Sequence, residues 1–295
     1  MKSVGNVQIK EGCASRRARL YHATLSTDTP PPIIPPLGRA DRSPLPAFVI
    51  NLESATDRWA AMQEAFSGTH VTLHRVPAID GNTLHFPHPD YSERLFRLFH
   101  GRLTNPREVG CYLSHLAACR AFIETDGEHA LIFEDDVTPE PEFESVLEDV
   151  LDRASDWNVV RLTGLTQGVP IRVGTMRRGR SLCVGIGRLK GAGAYLIDRK
   201  AAQRFVKGFL PMRLPFDHAI DREWVLGLRA AYVLPFPFSQ TERGFRSSIQ
   251  KGRTGKVSSI ARWFTTYPYQ AFNEISRWVC RGWSALWENA SLRGR

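Results

Sequence analysis

The sequence predicts one doubly wound α/β domain, and three observations predict it. Short apolar runs alternate with helix-period segments between residues 47 and 237. The composition, 42 % apolar and 23 % charged over 295 residues, is that of a globular chain long enough to bury a core. An acidic triplet follows directly on one of the apolar runs, where α/β sheets carry their ligands.

Phe48-Val49-Ile50 reads as a buried strand that ends at Asn51-Leu52. Ser54 suits a helix N-cap, and Ala55, Trp59, Met62 and Phe66 then recur at helical spacing. Val71 to Val76 is a second strand, closed by the turn pair Asp80-Gly81, so the chain opens β-α-β. Asn105 as cap, Pro106 at the first helical position and Glu108 three past the cap start a helix whose apolar face runs to about Thr125. Ala130 to Phe133 is a strand running into Glu134-Asp135-Asp136, and an acidic helix follows near 141–153. Val159 to Leu162, Ala194 to Ile197 and Ala230 to Leu234 are further strands, with a helix over Arg199 to Gly208. The Gly- and Arg-rich stretch 164–190 receives no element, and no internal repeat is present.

The sheet is expected to be mostly parallel, in a domain over 46–240 flanked by two unlike ends. Residues 1–45 read as a disordered or extended tail, because seven of the 19 prolines fall between Pro30 and Pro46. Residues 241–295 form a basic, Trp-rich segment with a C-terminal helix. The net charge of +9 divides as +4 over 1–45, −2 over 46–239 and +7 over 240–295. A neutral body argues against a nucleic-acid-binding domain, while basic ends suit a polyanionic surface such as a phospholipid leaflet. No apolar run reaches the ~18 to 20 residues of a membrane span, and the first ten residues lack the apolar stretch of a secretory signal. Five scattered cysteines without a CxxC pair point to a reducing compartment, with neither disulfide framework nor zinc cage.

Adjacent acids repel one another, and a divalent cation with hard oxygen ligands removes that cost. In extended geometry Glu134 and Asp136 share a side, which makes them the metal pair, and Asp135 points away. The plainer reading of the triplet is a solvated turn. Glu108, Cys111 and His115 fall on one line of their helix, so His115 and Ser114 could face a ligand; alternatively Glu108 completes a capping box and His115 packs at the border. Asn51 and Arg58 sit where the first strand gives way to the first helix, a position suited to phosphate recognition or to a surface ion pair. Asp217 and Asp221 offer a carboxylate that takes a proton from an attacking hydroxyl, or a cap for the helix starting there.

The blocks FVINLESATDRWAAM, HRVPAIDG, EVGCYLSH, ALIFEDDV, GAGAYLIDRKAAQRF and PFDHAIDREW stand in this order over roughly residues 47–237. In that arrangement the chain resembles glycosyltransferase family 25, which includes lipooligosaccharide-type β-galactosyltransferases. The resemblance implies a GT-A-like, nucleotide-sugar-binding fold. It also implies inverting transfer of a hexose, typically galactose, from a UDP-sugar with Mn²⁺ or Mg²⁺. By the same resemblance Glu134, Asp135 and Asp136 correspond to the metal and diphosphate motif, with Glu in place of its first Asp. Asn51, Arg58, Asp80 and Gly81 correspond to donor-site blocks, and Glu108, Ser114 and His115 to the helix beside the donor. Asp217 is the candidate base, with Asp221 behind it.

The implied acceptor is a lipid-linked or free oligosaccharide, and the implied location cytoplasmic, peripheral on the inner membrane. The aromatic C-terminal segment would either lie on that membrane or pack back on the domain. Two alternatives stand beside the enzyme: a non-catalytic scaffold of envelope assembly with the same fold, and a basic nucleic-acid-binding protein.

Overall fold

The alternation of Ala47 and Val49 with Phe48 and Ile50 sends neighbouring side chains of one strand to opposite faces of a sheet, and each face has its own core. In the computed structural model, which describes residues 44–166, 168–240 and 255–293 (side chains to 288), the elements run as follows. They are β1 (Leu45–Asn51), α1 (Thr56–Ala65), β2 (Val71–Pro77), α2 (Glu93–His100), α3 (Pro106–Ile123), β3 (His129–Glu134), β4 (Val137–Pro139), α4 (Phe143–Leu151) and β5 (Val159–Arg161). Then come β6 (Pro170–Thr175), β7 (Ser181–Gly185), β8 (Ala194–Asp198), α5 (Arg199–Gly208), α6 (Phe216–Ile220), β9 (Ala230–Leu234), β10 (Phe238–Gln240), α7 (Ser259–Phe264) and α8 (Thr266–Arg293). The proline-rich tail expected over 1–45 lies outside the described residues up to 43; Leu45 already opens β1.

Eight strands form one sheet in the order β2-β1-β3-β8-β5-β9-β7-β6. β1 pairs in parallel with β2 and β3, and β5 with β9, whereas β8 and β7 are antiparallel to both their neighbours. Six of the eight strands therefore run the same way, and β8 and β7 run against them. β6 and β7 form a hairpin inside the Gly- and Arg-rich stretch, where sequence reasoning assigned nothing. α2, capped by Ser92 and closed by left-handed Gly101, was likewise not anticipated.

One core lies between the sheet and α2, α3, α5 and α6, around Phe48, Phe122, Ile132, Tyr195 and Phe205. The other lies beneath α1 and α4, around Val49, Phe66, Leu131, Phe133 and Val146. Asn105 caps α3 by accepting from Arg107 N, as its sequence position indicates. α1 begins later than the Ser54 signal suggests: Ala55 is its cap and makes no side-chain cap bond, since residues 52–55 turn on a bond from Ala55 N to Leu52 O.

The glycines of two sequence blocks have a shared structural cause. A Cβ on Gly81 would lie 2.1 Å from Pro106 O, and one on Gly110 2.5 Å from Ile79 O. Bare Cα atoms on both sides let the turn after β2 lie against the start of α3.

α8 is anchored by ions. Arg277 reaches Asp221 at 2.9 Å, both side chains 1 % exposed, and Arg281 reaches Asp221 at 3.0 Å and Glu223 at 2.7 Å. Burial alone would lower the pKa of Arg281, but Glu223 and Asp221 outweigh it and raise it further. Both guanidiniums lie over the ring of Trp224. The outward face of α8 is left open: Phe272, Ile275, Trp278, Val279, Trp283 and Leu286 are all exposed. The helix thus both packs back on the domain and presents an apolar face. Among the described residues no helix is long and apolar enough to cross a membrane.

Removing one member of a buried ion cluster strands the others without compensation. Asp221→Ala is expected to lower the unfolding free energy by about 3–5 kcal/mol in urea titrations. A change within about 0.5 kcal/mol, the usual range of a surface substitution, would show that these ions do not hold α8.

Candidate active site

β1 and β3 run side by side with Ile50 opposite Glu134, so Asn51, the last residue of β1, lies beside Asp135, the first residue after β3. Asn51 is fully buried. Its amide donates to Asp135 Oδ2 at 2.6 Å and to Ala55 O at 3.0 Å, and its Oδ1 accepts from Arg75 Nε at 2.8 Å. Arg58 Nη1 donates to the other Asp135 oxygen at 2.7 Å. Burial raises the pKa of Asp135, while Asn51 and Arg58 act in the opposite direction.

Glu134 and Asp136 meet a different partner. Gln240 Nε2 donates to Glu134 Oε2 at 3.2 Å and to Asp136 Oδ1 at 3.3 Å. β10 brings Gln240 there by pairing with β4, directly after the triplet. A Cβ on Gly193 would lie 2.4 Å from Gln240 Nε2, so that glycine is what admits the amide. One neutral amide does not balance two carboxylates. Burial, then the charge of Glu134, push Asp136 up to about 6.

His115, fully buried on α3, joins this pair. Its Nε2 is 3.3 Å from Glu134 Oε1 and its Nδ1 3.2 Å from the Tyr195 hydroxyl. Its ring lies flat on Phe216, with centroids 3.9 Å apart. Phe216 opens α6, so the same short helix that supports His115 carries Asp217. Asp217 makes no cap bond; its Oδ2 accepts a long contact of 3.5 Å from Gly191 N, where the chain takes a left-handed turn at φ +88°. Cys111 lies one turn before His115, and burial together with Glu134, Asp217, Glu108 and Asp136 pushes its thiol well up. Those four carboxylates therefore all act on one spot in the first half of α3.

Glu134 and Asp136 fit a hard divalent cation: two half-buried carboxylates share one amide, and their mutual repulsion is what such an ion relieves. Cys111, His115 and Glu134 also bring donor atoms within 4.8 Å of one another. A softer ion there requires the Cys111 thiolate, which its surroundings disfavour.

Several sequence-predicted residues take other roles. Asp221 is not poised as a base, because it is buried between Arg277 and Arg281. Ser114 does not face a ligand: its buried hydroxyl donates to Gly110 O at 2.7 Å and accepts from Ile79 N at 2.8 Å. Asp80 caps a 3-10 turn through Asn82 N, and Gly81 is the close-approach residue on α3. Arg58 is paired with Asp135, and Glu108 is half-buried one turn before Cys111. Gln240, Tyr195, Phe216 and Arg75 were missed. Arg75, Tyr195 and Phe216 stand inside the sequence blocks but were given no role there; Gln240 lies 104 residues from Asp136 and meets it through strand pairing alone.

An unfolded aspartate titrates near ~3.9. With Asp136 at about 6 in the folded protein, its contribution to stability is full below the unfolded value and lost as pH rises through about 6. Denaturation of the metal-free protein in EDTA, from about pH 4 to about pH 7, is expected to show that loss. Asp136→Asn should remove it and be the more stable protein at neutral pH. A pH profile unchanged by the substitution would contradict the like-charge strain.

Residues 45–170 match the family model described as "Glycosyltransferase family 25 (LPS biosynthesis protein)". "Probable inactive glycosyltransferase 25 family member 3" of Rattus norvegicus is 30 % identical over 128 residues, 39 % of this chain and 22 % of that protein. "Procollagen galactosyltransferase 2" of Mus musculus is 27 % identical over 126 residues, 38 % of this chain and 20 % of that protein. The chain thus spans about a fifth of the length of these relatives. The inositol-1-phosphate CTP transferase of T. maritima aligns over 71 % of this chain and 95 % of its own, with a TM-score of 0.38 and 12 % identity. The matched blocks hold Asn51, Arg58 and the whole acidic triplet, and residues 45–170 belong to glycosyltransferase family 25.

Proposed function

We propose that the chain is a metal-dependent, inverting glycosyltransferase of GT-A-like fold. It moves a hexose, galactose first, from a UDP-sugar to a lipooligosaccharide or other glycan acceptor. The observation that carries this reading is the division of the triplet: Asp135 is satisfied by Asn51 and Arg58, while Glu134 and Asp136 share a single amide. The family assignment supports glycosyl transfer, and the mouse relative's name supports galactose.

Glu134 and Asp136 would hold Mn²⁺ or Mg²⁺, which when bound supplies the charge that stabilises a departing diphosphate. His115, fixed by Tyr195 and Phe216, orients Glu134 through Nε2. Asn51, Arg58 and Asp135 build the rigid end of β1 against which the donor lies. Asp217, which among the described residues has only the long contact from Gly191, would take the proton of the acceptor hydroxyl. As that oxygen bonds to the anomeric carbon, the bond from carbon to the diphosphate oxygen breaks on the opposite face, which inverts the centre. The outward face of α7 and α8, with Trp263, Trp278 and Trp283 exposed, suits peripheral attachment to a leaflet that carries the acceptor.

The rat relative's name favours one second reading, a non-catalytic member that keeps the fold. UDP release from UDP-galactose separates the two. Release is expected with Mn²⁺, lost in EDTA, and reduced about 100-fold or more in Asp136→Asn. Asp217→Asn should slow transfer while UDP binding persists. No release from any UDP-hexose with any divalent metal would support the scaffold.

A further inference from the structure

A cavity of about 250 Å³ opens where α7 and the start of α8 meet the body. Among the described residues its charged lining is of one sign: Arg102, Arg188, Lys190, Lys256 and Arg262 contribute to it, and no carboxylate does. Among the described residues only Arg188 of these five has an ion pair, with Glu274 at 2.8 Å.

The fold places these charges together at a cost. Arg102 and Lys256 stand opposite one another in an antiparallel bridge, fixed by Leu103 N to Gly255 O and Val257 N to Gly101 O. Like charges directly opposite across a strand pair are destabilising. Two polar atoms of the lining residues are buried without a hydrogen-bond partner among the described residues, His100 Nδ1 and Arg262 Nε. Buried polar groups in folded proteins are ordinarily paired, and the Arg262 Nε–H, a donor, lacks an acceptor, while Nδ1 of neutral His100 donates in one of its two tautomers. Burial first, then His218 and Arg102, lower His100 to about 3, with Asp217 acting in the opposite direction.

The cavity also adjoins the catalytic candidate. His218 and Lys190, both in its wall, are the chain neighbours of Asp217 and of Gly191, whose N–H meets Asp217.

We infer that this cavity is a phosphate-binding site and, resting on the reading proposed above, that it holds a phosphate or pyrophosphate group carried by the acceptor while the acceptor hydroxyl lies at Asp217. A phosphate monoester brings about −1.5 to −2 charges at neutral pH and several acceptor oxygens, which matches a five-cation lining better than a single carboxylate does. Except for His100, Gly101 and Arg102, the lining lies beyond the residues that match the family model. The site is therefore a feature of this chain's C-terminal half.

The test is calorimetric titration of inorganic pyrophosphate into the full chain in metal-free buffer, where the Glu134–Asp136 pair repels an anion. Binding is expected in the native protein and in Asp136→Asn. It should weaken about tenfold or more in the double variant Arg102→Ala, Lys256→Ala. Lys190→Ala serves as a second variant away from the bridge, and pyrophosphate should raise the melting temperature of the native protein but not of the double variant. Phosphatidylcholine vesicles containing phosphatidic acid that displace pyrophosphate would assign the phosphate to a lipid. Failure to displace it would assign a soluble sugar phosphate, and either result keeps the site. Absent binding, or equal binding by the native protein and both variants, would overturn it. Binding of UDP with Mn²⁺, measured in parallel on the double variant, should be unchanged, so failure of the donor reading and failure of this one are told apart.

Discussion

The Asp135 carboxylate rests on Asn51 at 2.6 Å and Arg58 at 2.7 Å, and those two bonds turn it away from the acids on either side. Three adjacent carboxylates at the end of a buried strand would otherwise be costly to fold. The β1–β3 register supplies one half of the solution, by delivering the buried amide of Asn51 beside Asp135. The β4–β10 ladder supplies a smaller half, one amide of Gln240 between Glu134 and Asp136. What remains is a pair of carboxylates that share one amide, with Glu134 also meeting His115 at 3.3 Å.

A second set of charges is settled wholly inside the protein. Asp221 and Glu223 face Arg277 and Arg281 from α8, with Trp224 beneath the guanidiniums. This cluster fixes α8, and through Glu274 it also reaches Arg188 in the wall of the basic cavity. The same helix then has two faces of opposite character, one held by buried ions and one open and aromatic. Near its start, the basic cavity is the inverse of the acidic pair: like charges gathered by the fold, with the counter-ion left to a ligand.

Much of this was legible in the sequence. Strands β1, β2, β3, β8 and β9 follow from apolar runs, and the start of α3 from its cap, because burial and capping are local properties; the Asp198 cap of α5 was not read, and Gly208, expected as its C-terminal cap, lies inside a helix closed by Phe209. The shared side of Glu134 and Asp136 followed from strand alternation, and both now meet Gln240. The β6–β7 hairpin was illegible because Arg and Gly dominate its surroundings and its buried apolar residues are only Val173 and Leu182 to Val184. Spacing also could not separate Asp217 from Asp221. The two differ in what α8 brings to them from about 60 residues away, and that is tertiary information. Ser114 and Gly81 drew attention as parts of motifs, and their reason is packing between the turn after β2 and α3.

Anomalous diffraction from crystals of the full chain grown with MnCl₂ and UDP tests the central claim most directly. The account predicts one manganese peak in direct contact with carboxylate oxygens of Glu134 and Asp136 and with the phosphates of UDP, Asp135 still resting on Asn51 and Arg58. Manganese bound elsewhere, or UDP bound with no ion between it and that pair, would contradict it.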